Sequence, residues 1–286
     1  MKPNEPKLGK QALELLGNWL DRIGFFAIFP ERDTLEVQEM RLSLPRLPNA
    51  FQGFRICHFT DLHVGHYLQE AGLRRLAEAI AASKPDLICF TGDLVDKDVD
   101  SLEEAIPYLQ RLHAPAGKYA VLGNHDYRSD VNTVCQAWEH AGFCVLRNQH
   151  AAVTRSGDSL YIVGVDDVLY GDPQLEEAMV GIPASGCKIL LAHEPDYAST
   201  AAGYPIDLQL SGHSHGGQIR LPIVGHLIVP EFGSLYPDGH YEAGGSGLQV
   251  YTSRGVGTTL MPVRFLCRPQ IAMITLQRSQ STDNEQ

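Results

Sequence analysis

The sequence has no run of eighteen consecutive apolar residues, so hydropathy gives no membrane-spanning helix. Its start has no basic stretch leading into an apolar core and a small-residue cleavage site, and no twin arginine. Export therefore has no visible signal, and a reducing cytoplasm is the expected location. There is no Cys-x-x-Cys pair either. The six cysteines (Cys57, Cys89, Cys135, Cys144, Cys187, Cys267) are scattered, three of them inside apolar runs, and are expected as free thiols. Positive charge is scarce: the formal net charge is −11. An acidic surface repels phosphate backbones, so nucleic acid is not expected as a partner. No internal repeat is visible.

What is present divides the 286 residues into three parts. Residues 53–276 read as one large α/β body, residues 277–286 as a polar disordered tail, and residues 1–52 as an N-terminal amphipathic helix and linker. In the last of these, Ala12, Leu15, Leu16, Trp19, Leu20 and Ile23 recur at helical spacing, and Phe25-Phe26-Ala27-Ile28-Phe29 follows before Pro30. One reading packs this helix on the body. The other lays residues 8–29 against the inner face of the cytoplasmic membrane as a peripheral contact; Lys7, Lys10 and Arg22 are offset by Glu14 and Asp21, which leaves little pull toward anionic head groups.

From Arg55 onward apolar runs alternate with helical periodicity. Strands are expected over 55–60, 86–91 and 118–122, and helices over 69–83, 101–112 and 130–141, which is a βαβ series. The second half is richer in strand, at 159–165, 187–192, 207–211, 248–252 and 271–276. A mixed β-sandwich flanked by helices follows, with Gly216–Gly247 as a long loop or hairpin extension.

Five short polar motifs each end an apolar run: Asp61-Leu62-His63, Gly92-Asp93, Gly123-Asn124-His125-Asp126, His193, and Gly212-His213-Ser214-His215. Any one alone reads as a capped turn or a satisfied histidine. Five in series, each at a strand terminus where ligands collect in open α/β sheets, read as a site. They supply two carboxylates, an amide and four imidazoles that could hold a pair of divalent metals, with one histidine to spare.

This series resembles the calcineurin-like metallophosphoesterase family, whose motifs run Asp-x-His, Gly-Asp, Gly-Asn-His-Asp/Glu, His, Gly-His-x-His. The resemblance covers about residues 53–276 and implies a four-layer α/β fold. It also implies that Asp61, His63, Asp93 and His215 hold one metal, and that Asp93 bridges to a second completed by Asn124, His193 and His213. His125 takes the place beside the leaving group, with Asp126 orienting it. Two cations about 3.5–4 Å apart neutralise phosphate oxygens, align attacking and leaving groups, and bring the pKa of bound water toward about 7. Mixed N/O ligation without thiolate suits manganese first, with iron, zinc or cobalt as alternatives.

Around these, Asp96 is read as orienting a ligand histidine or closing a turn, and His66 as bordering the pocket. Arg254 either clamps a substrate phosphate or pairs with a carboxylate of the protein. Asp166 and Asp167 read as a solvated turn. The runs Leu210–Gln218, Val163–Asp167 and Ser253–Gly257 look like a bacterial subgroup of phosphodiesterases and UDP-2,3-diacylglucosamine diphosphatases. The expected activity is hydrolysis of a phosphodiester or pyrophosphate, with a lipid-linked nucleotide sugar of lipid A synthesis favoured. A soluble small-molecule or cyclic-nucleotide phosphodiesterase is the runner-up, and a non-catalytic metal-binding scaffold the reading from another class.

Overall fold

The computed structural model describes residues 33–279 except His66 and Leu227, together with Trp19. The N-terminal stretch read as amphipathic lies, Trp19 apart, outside the described residues, as does His66. Among the described residues no helix is long and apolar enough to cross a membrane.

Edge strand β1 (Glu36–Leu44) precedes the βαβ series of β2 (Arg55–Phe59), α1 (Glu70–Ser83), β3 (Leu87–Thr91), α2 (Leu102–Gln110) and β4 (Lys118–Val121). The short α3 (Asn124–Arg128) follows β4 directly, and α4 (Val131–His140) leads to β5 (Cys144–Val145). The helices form where the sequence carries the signals for them. In α1, Leu73, Leu76 and Ile80 recur on one buried face, and Lys84 ends the helix with φ 49°. In α4, Asp130 caps the backbone N–H groups of Asn132 and Thr133.

The second half contains β6 (Gln149–Arg155), β7 (Asp158–Gly164), the single turn α5 (Leu175–Ala178), β8 (Cys187–Leu191), α6 (Ala198–Ala201) and β9 (Leu208–Ser211). A two-stranded ribbon of β10 (Arg220–Leu221) and β11 (Gly225–His226) is followed by β12 (Gly239–Ala243), β13 (Leu248–Thr252) and β14 (Gln270–Arg278). Two mixed six-stranded sheets result, ordered β1-β14-β2-β3-β4-β5 and β12-β13-β9-β8-β7-β6.

Phe51, Ile56, Cys89 and Val121 from one side meet Ile162, Ile189, Leu210 and Tyr251 from the other in a buried apolar layer between the sheets. Leu76, Ile80, Leu109 and Trp138 cover the outer face of the first sheet through Phe59, Ile88 and Phe90. Ala178, Ala198 and Ala201 cover that of the second through Val163, Leu190 and Val250. Helix, sheet, sheet, helix is the four-layer arrangement that the motifs implied.

The stretch 36–44, read as linker, supplies β1, paired in parallel with β14. Its inward positions begin with Glu36 and Gln38 and only Leu42 and Leu44 are fully buried, which leaves a weak alternation. Edge strand β6 likewise carries one buried residue, Val153, and shows little apolar signal. Because β14 runs antiparallel to β2, the N-terminal end of β1 lies at the same end of the sheet as the C-terminal end of β2.

Candidate active site

At that end the motif loops converge. Asp61 and His63 leave β2, Asp93 leaves β3, Asn124 and His125 open α3, His193 follows β8, and His213 and His215 follow β9. All are buried except His125, which is half-buried. The first two loops prolong the parallel pairing of their strands: Asp61 N–H donates to Gly92 O at 2.9 Å and His63 N–H to Asp93 O at 3.2 Å. Five of these residues adopt the left-handed conformation, with φ 53° at Asp61, 46° at His63, 61° at Asp93, 67° at His213 and 52° at His215. Asp and His tolerate that region better than most residues, but each such turn costs on the order of 1–3 kcal/mol, and such strain clusters at functional sites. Gly123 is required by space: a Cβ there would lie 2.6 Å from the backbone N of Asp93.

The side chains form two groups that share one carboxylate. His63 Nε2 lies 3.0 Å from His215 Nε2, and Asp61 Oδ1 lies 3.4 Å from His215 Nε2. His213 Nδ1 lies 3.2 Å from His193 Nε2. Between them, Asp93 Oδ2 is 3.6 Å from His63 Nε2 and 3.2 Å from His193 Nε2. Second-layer hydrogen bonds set the rings. His193 Nδ1 donates to Thr91 O at 2.7 Å and His213 Nε2 to Glu231 O at 2.8 Å, which leaves the opposite nitrogens free to accept.

The electrostatics call for positive charge. Against the cost of burial, the carboxylates of Asp61, Asp96 and Asp93 hold the His63 imidazole up to about 10. Asp93 likewise holds His193 well above its usual range in spite of burial. Despite burial, neighbouring imidazoles keep the carboxyls of Asp61 and Asp93 below the usual carboxylate range. Burial pushes His213 down to about 4 and His215 down to about 3.

Asp126 does not touch the His125 ring, contrary to the expectation that it orients it. Its carboxylate accepts backbone N–H groups from Asp93 (3.0 Å), Leu94 (2.8 Å), Val95 (3.2 Å) and Gly123 (2.9 Å). Burial and the Asp93 charge push that carboxyl up to about 7 against the pull of these amides. The His125 ring is held by Asp96 instead: His125 Nδ1 donates to Asp96 O at 2.7 Å, and Asp96 Oδ1 lies 3.4 Å from both His125 Nδ1 and His63 Nδ1.

Residues 54–217 match the calcineurin-like phosphoesterase family. The chain belongs to that family. It is 38% identical over 256 residues to YkuE, an uncharacterized metallophosphoesterase of Bacillus subtilis (strain 168), covering 88% of this chain and 89% of that protein. It is 33% identical over 236 residues to the phosphodiesterase YaeI of Escherichia coli (strain K12), covering 78% and 82% respectively. It is also 31% identical over 258 residues to a transmembrane protein with metallophosphoesterase domain from Danio rerio, covering 85% of this chain and 58% of that protein. As a calcineurin-like metallophosphoesterase the protein is a phosphoester hydrolase, which sets aside the scaffold reading.

The donor set fits the divalent metals on which this family depends. Two nitrogens each about 2.1 Å from one cation stand about 3.0 Å apart when at right angles about it and about 3.4 Å apart when tetrahedral, a range that holds the His63–His215 separation of 3.0 Å. Potential ligands gather as Asp61, His63 and His215 and as Asp93, His193 and His213, while His63, Asp93 and His125 form a third close trio. Asn124 Oδ1 is buried without a hydrogen-bond partner in the protein, as suits an oxygen offered to a cation.

Other expected residues fall elsewhere. Arg254 pairs with a carboxylate of the protein, Glu36, at 2.9 Å, and also lies 3.8 Å from Asp238, so no free clamp is presented. Asp166 and Asp167 are buried, which corrects the solvated-turn reading. Asp166 bonds the Tyr127 hydroxyl and lies 3.4 Å from Arg147. Asp167 caps the backbone of Leu169 (3.1 Å) and Tyr170 (2.6 Å). Beside it Glu194, which no motif marked, is raised well above its usual value by burial and Asp167.

Proposed function

We propose that Asp61, His63, Asp93 and His215 hold one divalent cation, that Asp93, Asn124, His193 and His213 hold a second, and that the pair serves hydrolysis of a phosphodiester or pyrophosphate. The observation that carries this reading is the single oxygen Asp93 Oδ2, which stands within 3.6 Å of His63 Nε2 and 3.2 Å of His193 Nε2. When bound, the cations neutralise phosphate oxygens and lower the pKa of water. Manganese is the first choice of metal, with iron, zinc or cobalt next, because the donors are nitrogen and oxygen without thiolate.

The chain's own groups do the rest. Asp96 fixes the His125 ring through Nδ1, so Nε2 is the atom that carries a proton toward the departing oxygen, a role that contributes about 10²–10⁴ in rate. Asp126 holds the backbone of Asp93 and thereby the position of the shared carboxylate. Thr91 O and Glu231 O keep His193 and His213 in the tautomers that a cation accepts.

Among substrates, a lipid-linked nucleotide sugar such as UDP-2,3-diacylglucosamine is favoured by the exposed apolar segment that follows the His213–His215 turn and by the membrane protein among the relatives. A soluble small-molecule or cyclic-nucleotide phosphodiester is the second reading, favoured by the similarity to the phosphodiesterase YaeI. Metal analysis and turnover of bis-p-nitrophenyl phosphate test the site: Asp93→Ala should lose bound metal and activity together, and retention of two metals would remove the shared-ligand assignment. Detergent or liposome dependence of turnover separates the two substrate classes.

A further inference from the structure

The segment from Ile219 to Tyr236 leaves the His213-Ser214-His215 turn and returns to β12. Its base is fixed on the metal-ligand loop. Glu231 O accepts from His213 Nε2 at 2.8 Å, and the Asp196 carboxylate accepts the backbone N–H groups of Ser234 (3.0 Å) and Leu235 (2.9 Å). Its outer part is a ribbon, β10–β11, whose tip is left exposed by the described residues. Ile223 is 108% exposed, Val224 68% and Ile228 71%, and Leu221, Leu235 and Leu266 add to the same region. Between Leu221 and Pro230 there is no Asp, Glu, Lys or Arg, in a chain where charged residues make up 20%.

The tip is also strained. Val224 N–H donates to Pro222 O at 2.8 Å, closing a γ-turn around Ile223 at φ 70°. A β-branched residue is a rare occupant of that region, and glycine or asparagine would sit there at less cost. Leu266, at φ 49°, repeats the pattern on the adjoining segment, where Arg220 N–H donates to Phe265 O at 2.9 Å. Large aliphatic side chains are thus held in unfavourable backbone conformations at points that no described residue covers, Ile223 fully exposed and Leu266 half-exposed, which marks them as a contact surface.

We propose that this tip, with Leu266 beside it, inserts into the surface of a lipid bilayer and seats the metal site at head-group level. A narrow convex projection suits a fluid that closes around it, whereas a folded protein partner would need a matching groove. The cations at its base are already matched, Arg220 by Asp238 and Arg254 by Glu36, so uncharged lipid suffices. Glu36 also fixes where the chain enters the fold. In the sequence Trp19, Phe25, Phe26 and Phe29 precede β1, whose first residue lies at the site end, and a bilayer accommodates apolar segments of both kinds. Membrane docking deepens the lipid-linked reading above and rests on it for its purpose, but its test needs no turnover of lipid.

The full-length protein would be floated with phosphatidylcholine vesicles and with vesicles containing phosphatidylglycerol, alongside I223D/V224D and, separately, F25D/F26D. The expected result is binding of the wild type to both vesicles, at least a tenfold loss in I223D/V224D, and unchanged turnover of bis-p-nitrophenyl phosphate by that variant. As an independent reading, Ile223→Trp should gain fluorescence quenched by brominated acyl chains. Failure of the wild type to bind, equal binding by I223D/V224D, or an unquenched tip indole would overturn the proposal. So would loss of a dimer in I223D/V224D without loss of vesicle binding, which would assign the tip to self-association. Water-soluble diester turnover reports on the catalytic reading separately.

Discussion

Asp126 accepts the backbone N–H of Asp93 at 3.0 Å, so the residue after His125 anchors the carboxylate that stands between the two ligand groups. The same side chain takes the N–H groups of Leu94, Val95 and Gly123, four donors in all on one buried group. Leaving a buried donor unsatisfied costs about 1–3 kcal/mol. Asp126→Ala is therefore expected to lower the unfolding free energy by about 3–5 kcal/mol, allowing for water in the gap, and to weaken metal retention. Urea unfolding with metal analysis checks both, and a change within 1 kcal/mol would show that the anchor is dispensable.

Asp96 touches both His63 and His125, and of the two only His125 is assigned to the departing group in the proposed reaction. His125→Ala should keep its metals and lose about 10²–10⁴ in kcat on an ester with a poor leaving group. Asp96→Ala should lose about 10–100-fold in metal affinity or kcat, because it releases the orientation of two rings. The double variant should fall short of the product of the two effects, since both remove part of one function. Multiplicative losses would sever Asp96 from His125.

Gly123→Ala would place a methyl 2.6 Å from the backbone N of Asp93, which sits beside buried groups that cannot retreat. Overpacking of this kind typically costs about 1–3 kcal/mol, and here it would displace the shared carboxylate. Activity should fall at least 100-fold while far-ultraviolet circular dichroism stays native. Wild-type kcat in a folded variant would show that Asp93 has room to move.

Removal of metal leaves the Asp61, Asp93 and Asp96 carboxylates to be balanced by protonated imidazoles alone. A cation at 100 times its Kd stabilises the fold by about 2.7 kcal/mol, equivalent to about 5–10 °C in Tm for a chain of this size. Chelation should lower Tm by that amount and added manganese should restore it. An unchanged Tm in a protein that had lost both metals would disprove coupling between the site and the fold.

The α/β alternation, the helices α1, α2 and α4, and the inner strands were legible because each has an apolar period of its own. The edge strands β1 and β6 were not. With one face toward solvent and few buried side chains, they owe their structure to the neighbour they pair with. The site divides in the same way. Asp61, His63, Asp93, Asn124, His193, His213 and His215 announce themselves by residue type and by position after a strand. The atoms that hold His193, His213 and His125, namely Thr91 O, Glu231 O and Asp96 O, are backbone carbonyls, which carry no side-chain signature.

The sequence by itself determined the inventory: which donors exist, in which order, and at the ends of which strands, because ligand chemistry and apolar periodicity are both written in residue types. Only the tertiary structure decided who stands beside whom. That Asp126 turns to amides, that Asp96 serves two histidines, that Arg254 is taken by Glu36, and that the apolar segment is tied at Glu231 to His213 all depend on strand pairing and on left-handed turns. Those arise from contacts between segments up to 218 residues apart, and no local pattern encodes them.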